Sequence, residues 1–394
     1  MFGSILSAVE MYMLIDCDNF FVSCERLKHP EFNNTAVIVL GGHESCVVSR
    51  SNEVKELKIK VGEPYFKIKD LVDAFSIKIF EADIEEYSCI SSRIMRLLRE
   101  LDYGKLEIYS IDEAYIYIDF KIDKENLLNT ATYIRNKILL SIGISVSIGI
   151  AKTKTLAKIA TDIAKHNLSH VGYIDSIEKS QKLDIDIGSV WGIGYKTKKY
   201  LNKLGIYTIG NFLSLDEVKV VKSFNVNISK TYFELKGIDC IKERPKDNVH
   251  QTQMIRTFKK AITEKDEIRV ILMKYIFNLS LKLRESGVGA SEIKIYLATS
   301  RFKDNKIFSS SMKIELTNDF NYLMRSGDYL LSKLDLKRLL YKKIGVIFSG
   351  ISTIRNNDIF STDYNAKQIE LQKSIDKLNK KWGRKSILPA SIFF

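Results

Sequence analysis

Glu107–Phe120 reads EIYSIDEAYIYIDF, and its centre sets two carboxylates, Asp112 and Glu113, side by side among isoleucines and tyrosines. Along an uninterrupted strand successive side chains point to opposite faces, so one of the two acids would be buried against apolar neighbours. An unpaired buried carboxylate is expensive. The cheaper arrangement is a tight hairpin, EIYS running in and AYIYIDF running back, with both acids exposed at its tip. Acids placed like that suit a hard metal ion.

Outward from the hairpin, the chain alternates strands and helices. Met11–Ile15 is a short apolar strand that turns acidic at Asp16 and Asp18, while Ala36–Leu40 and Ser45–Arg50 read as two more strands around a turn-like GGHE. Helical spacing appears in SSRIMRLLREL and in TKTLAKIATDIAKH, with the strand GISVSIGIA between them. A central sheet flanked by helices follows, with a small inserted unit after Asp16. Neighbouring strands could bring Asp16 to the hairpin acids. Three carboxylates and a backbone carbonyl can hold two magnesium ions about 3.5–4 Å apart, the arrangement used for phosphoryl transfer. No histidine or cysteine cluster lies nearby to suit zinc.

From Val190 the chain becomes helical and glycine-punctuated, and after KERPKDN a last unit reads β-α-β-β-α-β. In the tail, Leu371, Ile375, Leu378 and Trp382 have the spacing of one helical face.

Composition bounds the function. A chain of 394 residues allows two to four domains at roughly 150 residues each. With 61 Lys+Arg against 48 Asp+Glu, the net charge is +13, which favours a polyanionic partner such as nucleic acid or an acidic membrane surface. A lysine-rich genome would give the same excess. The five cysteines are odd in number and scattered, so neither a disulfide framework nor a zinc site is indicated. The N-terminus lacks the basic start and apolar stretch of a signal peptide, and no segment approaches a membrane span of roughly 18 apolar residues. The expectation is a soluble, cytoplasmic protein.

Four blocks narrow the reading further. Ile15–Glu25 (IDCDNFFVSCE), Tyr109–Ile118 (YSIDEAYIYI), Gly149–Lys165 (GIAKTKTLAKIATDIAK) and Val190–Ile206 (VWGIGYKTKKYLNKLGI) resemble, in order and separation, the signature blocks of Y-family translesion DNA polymerases, the UmuC-like branch in particular. The resemblance runs from Met11 into the tail. It implies an α+β right-handed polymerase: palm 11–19 and 79–166, small fingers 20–78, helix-hairpin-helix thumb 167–243, β-α-β-β-α-β little finger 248–352, and tail 353–394.

The resemblance also assigns roles. Asp16, Asp112 and Glu113 become the catalytic, metal-binding acids, with the Cys17 backbone carbonyl as a further ligand for two Mg2+ ions, replaceable by Mn2+. Asp18 falls to a supporting place. Ser49, Arg50, Lys55 and Lys158 become nucleotide contacts; some relatives carry tyrosine where Asn52 stands and arginine where Lys55 stands. Of the phenylalanines at the nucleotide, Phe20 packs into the palm and Phe21 lies beneath the incoming sugar as a steric gate. Gly192 and Gly194 present backbone N–H groups to a DNA phosphate, with Lys196, Lys198 and Lys199 adding sequence-independent attraction. Asn356, Ile359 and Phe360, in NNDIF, match a clamp-binding peptide in which asparagine replaces the usual glutamine.

The implied partners are primer-template DNA, deoxynucleoside triphosphates, a sliding clamp, and a UmuD-like accessory protein or recombinase filament, with no membrane. The implied activity is error-prone synthesis opposite lesions. A catalytically silent, polymerase-shaped scaffold subunit is the alternative; a generic helix-hairpin-helix binder leaves the N-terminal half unexplained.

Overall fold

In the computed structural model β1 (Met11–Cys17) is buried along its whole length, the condition of a strand covered on both faces. It lies between β6 (Glu113–Ile118) and β7 (Val146–Ala151), antiparallel to both, and β5 (Lys105–Ile108) and β8 (Val171–Ile174) complete the order β5-β6-β1-β7-β8. The structure describes residues 10–42, 45–120, 122–175, 184–242, 250–300, 305–336, 339–354, 363–383 and 386–390. Two units divide the chain, Met1–Arg244 and Pro245–Phe394.

The alternation along β1 serves two cores. Met11, Met13 and Ile15 pack with α4 (Ile84–Leu101) and α5 (Lys124–Ile142), while Tyr12 and Leu14 pack with α6 (Lys154–Ala164) and the helices that follow it. Asp83 and Asp123 cap α4 and α5, each accepting a backbone N–H from the first turn. α6 lies unusually close to the sheet. A Cβ built on Gly149 would stand 2.2 Å from the Ala157 carbonyl, and one on Gly172 would stand 2.1 Å from the Ala160 carbonyl. Only glycine in β7 and β8 permits that approach.

The expected hairpin forms between β5 and β6, with Ile108 opposite Ala114. Its acids are half-buried rather than exposed. The end of β1 covers them: the Cys17 N–H donates to the Asp112 carbonyl at 3.0 Å.

The inserted unit is a three-stranded sheet, β3-β2-β4, made of β2 (Val37–Leu40), β3 (Val47–Arg50) and β4 (Lys78–Glu81), with α1 (Phe20–Lys28), α2 (Asn52–Glu56) and α3 (Tyr65–Ala74). β4 runs parallel to β2 with Val37 opposite Lys78, so the expected boundary after residue 78 falls inside a strand. β8 likewise pairs with β7, which keeps residues 171–174 in the central sheet rather than in the helical unit expected from 167. That helical unit comprises α7 (Tyr195–Lys203), α8 (Ile209–Leu213), α9 (Glu217–Ser223) and α10 (Val226–Leu235). Its core of Leu201, Ile209, Phe212 and Tyr232 is continuous with the α6 side of the sheet.

In the second unit β9 (Gln251–Ile262), α11 (Lys265–Glu285), β10 (Val288–Ala298), β11 (Ile307–Thr317), α12 (Phe320–Lys333) and β12 (Tyr341–Ser349) form the expected β-α-β-β-α-β, with sheet order β11-β10-β12-β9. The tail helix α13 (Asp363–Trp382) belongs to this unit through the Arg284–Asp376 ion pair at 2.6 Å. Among its described side chains the buried ones are Gln372 and Asn379, whereas Leu371, Leu378 and Trp382 are exposed and Ile375 is half-buried. Three of the four residues of the apolar stripe therefore face outward. Among the described residues no helix is long and apolar enough to cross a membrane.

Candidate active site

Register places the first two acids together. Asp16, at the end of β1, is directly opposite Glu113, the first residue of β6. Each meets a lysine of α6 or its C-cap: Lys165, the C-cap, reaches Asp16 Oδ2 at 3.0 Å, and Lys158 reaches Glu113 Oε1 at 2.7 Å and Oε2 at 3.0 Å. A third lysine of that helix, Lys154, is buried against Glu107 at 2.5 Å. Residues 154, 158 and 165 are four and seven apart, a single face of a helix. The close seating of α6 on its two glycines brings that face to the acids.

Asp112 is held apart from this pair. Its Oδ1 accepts from the Ser110 hydroxyl at 2.5 Å, and among the described residues no three histidine, cysteine or acidic groups converge as a metal cage. The donor set nevertheless suits a hard cation: all oxygen, two carboxylates across one register pair, and a third on the adjoining turn beside the Cys17 backbone. Two ammonium groups now balance charge that a divalent ion would balance. Burial, opposed by Lys165 and reinforced by Glu113, raises the Asp16 carboxyl to about 7.

Asp18 is occupied otherwise. Its carboxylate accepts hydroxyls from Ser145 at 2.9 Å and Ser147 at 2.7 Å, which fixes the turn after β1 to β7. His170 Nδ1 lies 3.5 Å from the same group.

The inserted unit adds cations. Asn52 accepts at Oδ1 from Lys55 at 2.9 Å and from the Asn19 amide at 3.0 Å, tying α2 to the turn after β1. Ser49 is buried, with its hydroxyl 3.5 Å from the Asn19 carbonyl. Burial first, then Lys165 and Arg50, hold the Lys55 ammonium below its ordinary range. Of the expected nucleotide contacts, Arg50 ends β3 beside Ser49, Lys55 holds Asn52, and Lys158 sits on Glu113. The sequence reading does not single out Lys165. Its signal was the seven-residue spacing from Lys158 within the quoted block.

Phe20 is buried in the central core. Phe21, one residue on, is half-buried, and its ring stacks on Tyr87 with centroids 4.7 Å apart.

In the helical unit, Gly192 takes a φ of 91°, and Gly194 caps α7 with an extended backbone. A Cβ at Gly194 would meet nothing within 4 Å, so its face is open. Lys196 and Lys199 are exposed, whereas Lys198 pairs with Asp186 at 2.7 Å. Asn356, Ile359 and Phe360 lie outside the described residues.

The impB/mucB/samB family matches residues 15–162, and its C-terminal domain matches residues 250–371. Protein UmuC of Salmonella typhimurium LT2 is 30% identical over 387 residues, covering 95% of this chain and 92% of that protein. The chain is a Y-family DNA polymerase of the UmuC-like impB/mucB/samB family. DNA polymerase IV of Oceanobacillus iheyensis is 26% identical, with 94% of this chain and 88% of that protein covered. A solved Y-family DNA polymerase chimera superposes with a TM-score of 0.70 over 87% of this chain and 100% of its own, at 24% identity, which shows the shared fold. In this chain Asp16 on β1 and Glu113 on β6 stand in the central sheet, and the lysines paired with them come from α6 and its C-cap.

Proposed function

We propose that the chain adds deoxynucleotides opposite damaged template bases, without proofreading, using two divalent ions held by Asp16, Asp112, Glu113 and the Cys17 carbonyl. The observation that carries this reading is the pairing of Asp16 and Glu113 across one register position, each held by a lysine, Lys165 and Lys158 respectively. Bound magnesium, or manganese in its place, would lower the pKa of the primer 3′-hydroxyl and neutralise the triphosphate.

The chain's own groups do the rest. Glu113 stands on the side of the attacking hydroxyl. Lys165 and Lys158, freed from their carboxylates when a divalent ion balances those charges, join Arg50, Lys55 and the Ser49 hydroxyl on the triphosphate as point charges and donors. Phe21 blocks a 2′-hydroxyl, and the Gly192–Gly194 turn offers N–H groups to a DNA phosphate, with Lys196, Lys198 and Lys199 nearby. Fingers built on a small three-stranded sheet close loosely over a site. Loose closure weakens shape exclusion, which admits damaged templates and errors.

We further propose a cytoplasmic setting, clamp docking through Asn356, Ile359 and Phe360, and dependence on a UmuD-like protein or recombinase filament. The domain division remains palm, fingers, thumb, little finger and tail, with β4 assigned to the fingers and β8 to the palm. The test is primer extension with magnesium on an undamaged template and across an abasic site. Extension on both supports the reading, and tight DNA binding with no extension on either would establish the scaffold alternative instead.

A further inference from the structure

Glu25 is a carboxylate 5% exposed in a core of aliphatic and aromatic residues, and the mechanism above does not use it. Burying an acid costs free energy unless its charge is hydrogen-bonded. Its Oε1 accepts the Tyr87 hydroxyl at 2.5 Å. Tyr87, on α4, is fully buried, and its ring is the surface on which Phe21 stacks, at 4.7 Å between centroids and 21° between planes. Phe21 and Glu25 are four residues apart on α1, so one helical face presents both. Both ends of the tyrosine are thereby tied to the same helix: the ring to Phe21, the hydroxyl to Glu25. An ion pair between Lys28 and Glu86 joins α1 to α4 one turn further on.

We infer that Glu25 and Tyr87 form a brace that holds the Phe21 ring in place and so sets the discrimination against ribonucleotides. The inference rests on Phe21 being the sugar gate. A gate that works by collision excludes a 2′-hydroxyl only as far as its ring cannot yield. Phe21 is half-buried and contacts Phe20 at 5.8 Å with its plane tilted by 50°, which leaves the near-parallel stack on Tyr87 as its backing. Tyr87 keeps its ring from rotating away by donating to a charged acceptor, a bond stronger than one between neutral partners. Burial and the Glu25 bond both push the phenol pKa up, so the hydroxyl remains a donor throughout the working pH range. Glu25 and Tyr87 touch no substrate in this arrangement; they are positioning residues.

The experiment measures kcat/KM for a deoxynucleotide and for its ribonucleotide counterpart in the full-length chain, with thermal melting of each variant. Tyr87→Phe retains the ring and the volume while removing the hydroxyl. It should lower the deoxy-to-ribo ratio at least about tenfold, the worth of one hydrogen bond to a charged group. Glu25→Leu should do the same, and Glu25→Gln, which still offers an acceptor oxygen, should restore most of the ratio. Phe21→Ala is the control for the gate itself. Loss of discrimination in Phe21→Ala with wild-type ratios in Tyr87→Phe and Glu25→Leu would overturn the brace and leave the gate standing. Unchanged discrimination in Phe21→Ala would remove the gate, and the brace with it. Should Glu25→Leu fail to fold, Tyr87→Phe decides alone.

Discussion

At Asp16 burial and charge oppose each other, and the balance gives the residue a pH signature. Its carboxyl is raised to about 7 from 3.8, because burial outweighs the attraction of Lys165. Between those values the folded, metal-free chain holds a proton that the unfolded chain has released. Stability therefore falls as pH rises through the window, by at most about 1.4 kcal/mol per unit. Urea denaturation in a chelator should show that decline, and Asp16→Asn should flatten it. Magnesium competes with the same proton, so its stabilising effect should be larger above pH 7 than below, and equal stabilisation at both would separate Asp16 from the metal. The neighbouring acids carry a second prediction. Asp112→Asn or Glu113→Gln should abolish primer extension while leaving DNA affinity nearly intact, since phosphate contacts elsewhere supply most of it. Wild-type extension by either variant would remove that carboxylate from the site.

The element that organises the site is α6, and its influence was only partly readable beforehand. Strand alternation forbids two adjacent acids in a buried strand, so the hairpin between β5 and β6 was legible from fourteen residues. The half-burial of its tip was not, because the groups that close over it are residue 17 and Lys158, distant in sequence. Lys158 was legible from its block, whereas Lys165 required knowing which helical face meets the sheet. Glycines supply that information, since Gly149 and Gly172 leave the helix no other close seat. The tail shows the converse failure: in α13 the apolar spacing predicts a face but not its direction, and polar anchors at Arg284–Asp376 decide it. The seat of α6 can be tested directly. Gly149→Ala drives a methyl to 2.2 Å from backbone atoms of residues 157 and 161, so it should cost about 1–3 kcal/mol or more in urea denaturation. Extension should fall with it, because the lysines move with the helix. A fully stable, fully active variant would mean that the close approach is not what places Lys158 and Lys165.

For the whole molecule, the question is where an excess of thirteen positive charges acts. Internal ion pairs leave that excess unchanged but take particular cations out of reach: Lys154, Lys158 and Lys165 each hold an acid, Arg269 holds Asp328, and Arg284 holds Asp376. Cations already paired release few counterions when DNA arrives, so the number of basic residues overstates the number of phosphate contacts. The helix after the Gly192–Gly194 turn separates the two kinds of lysine within four residues. Lys196 and Lys199 are exposed, while Lys198 is bonded to Asp186. If α7 meets a phosphate, Lys196→Ala and Lys199→Ala should each reduce the slope of log affinity against log salt by about 0.9. Lys198→Ala should change it less, because an exposed pair with Asp186 already competes for that charge. Fluorescence anisotropy of a labelled primer-template across a salt series reads all three slopes. Equal losses at the three positions would mean that Lys198 leaves Asp186 on binding, and unchanged slopes at Lys196 and Lys199 would move the backbone grip away from α7 altogether.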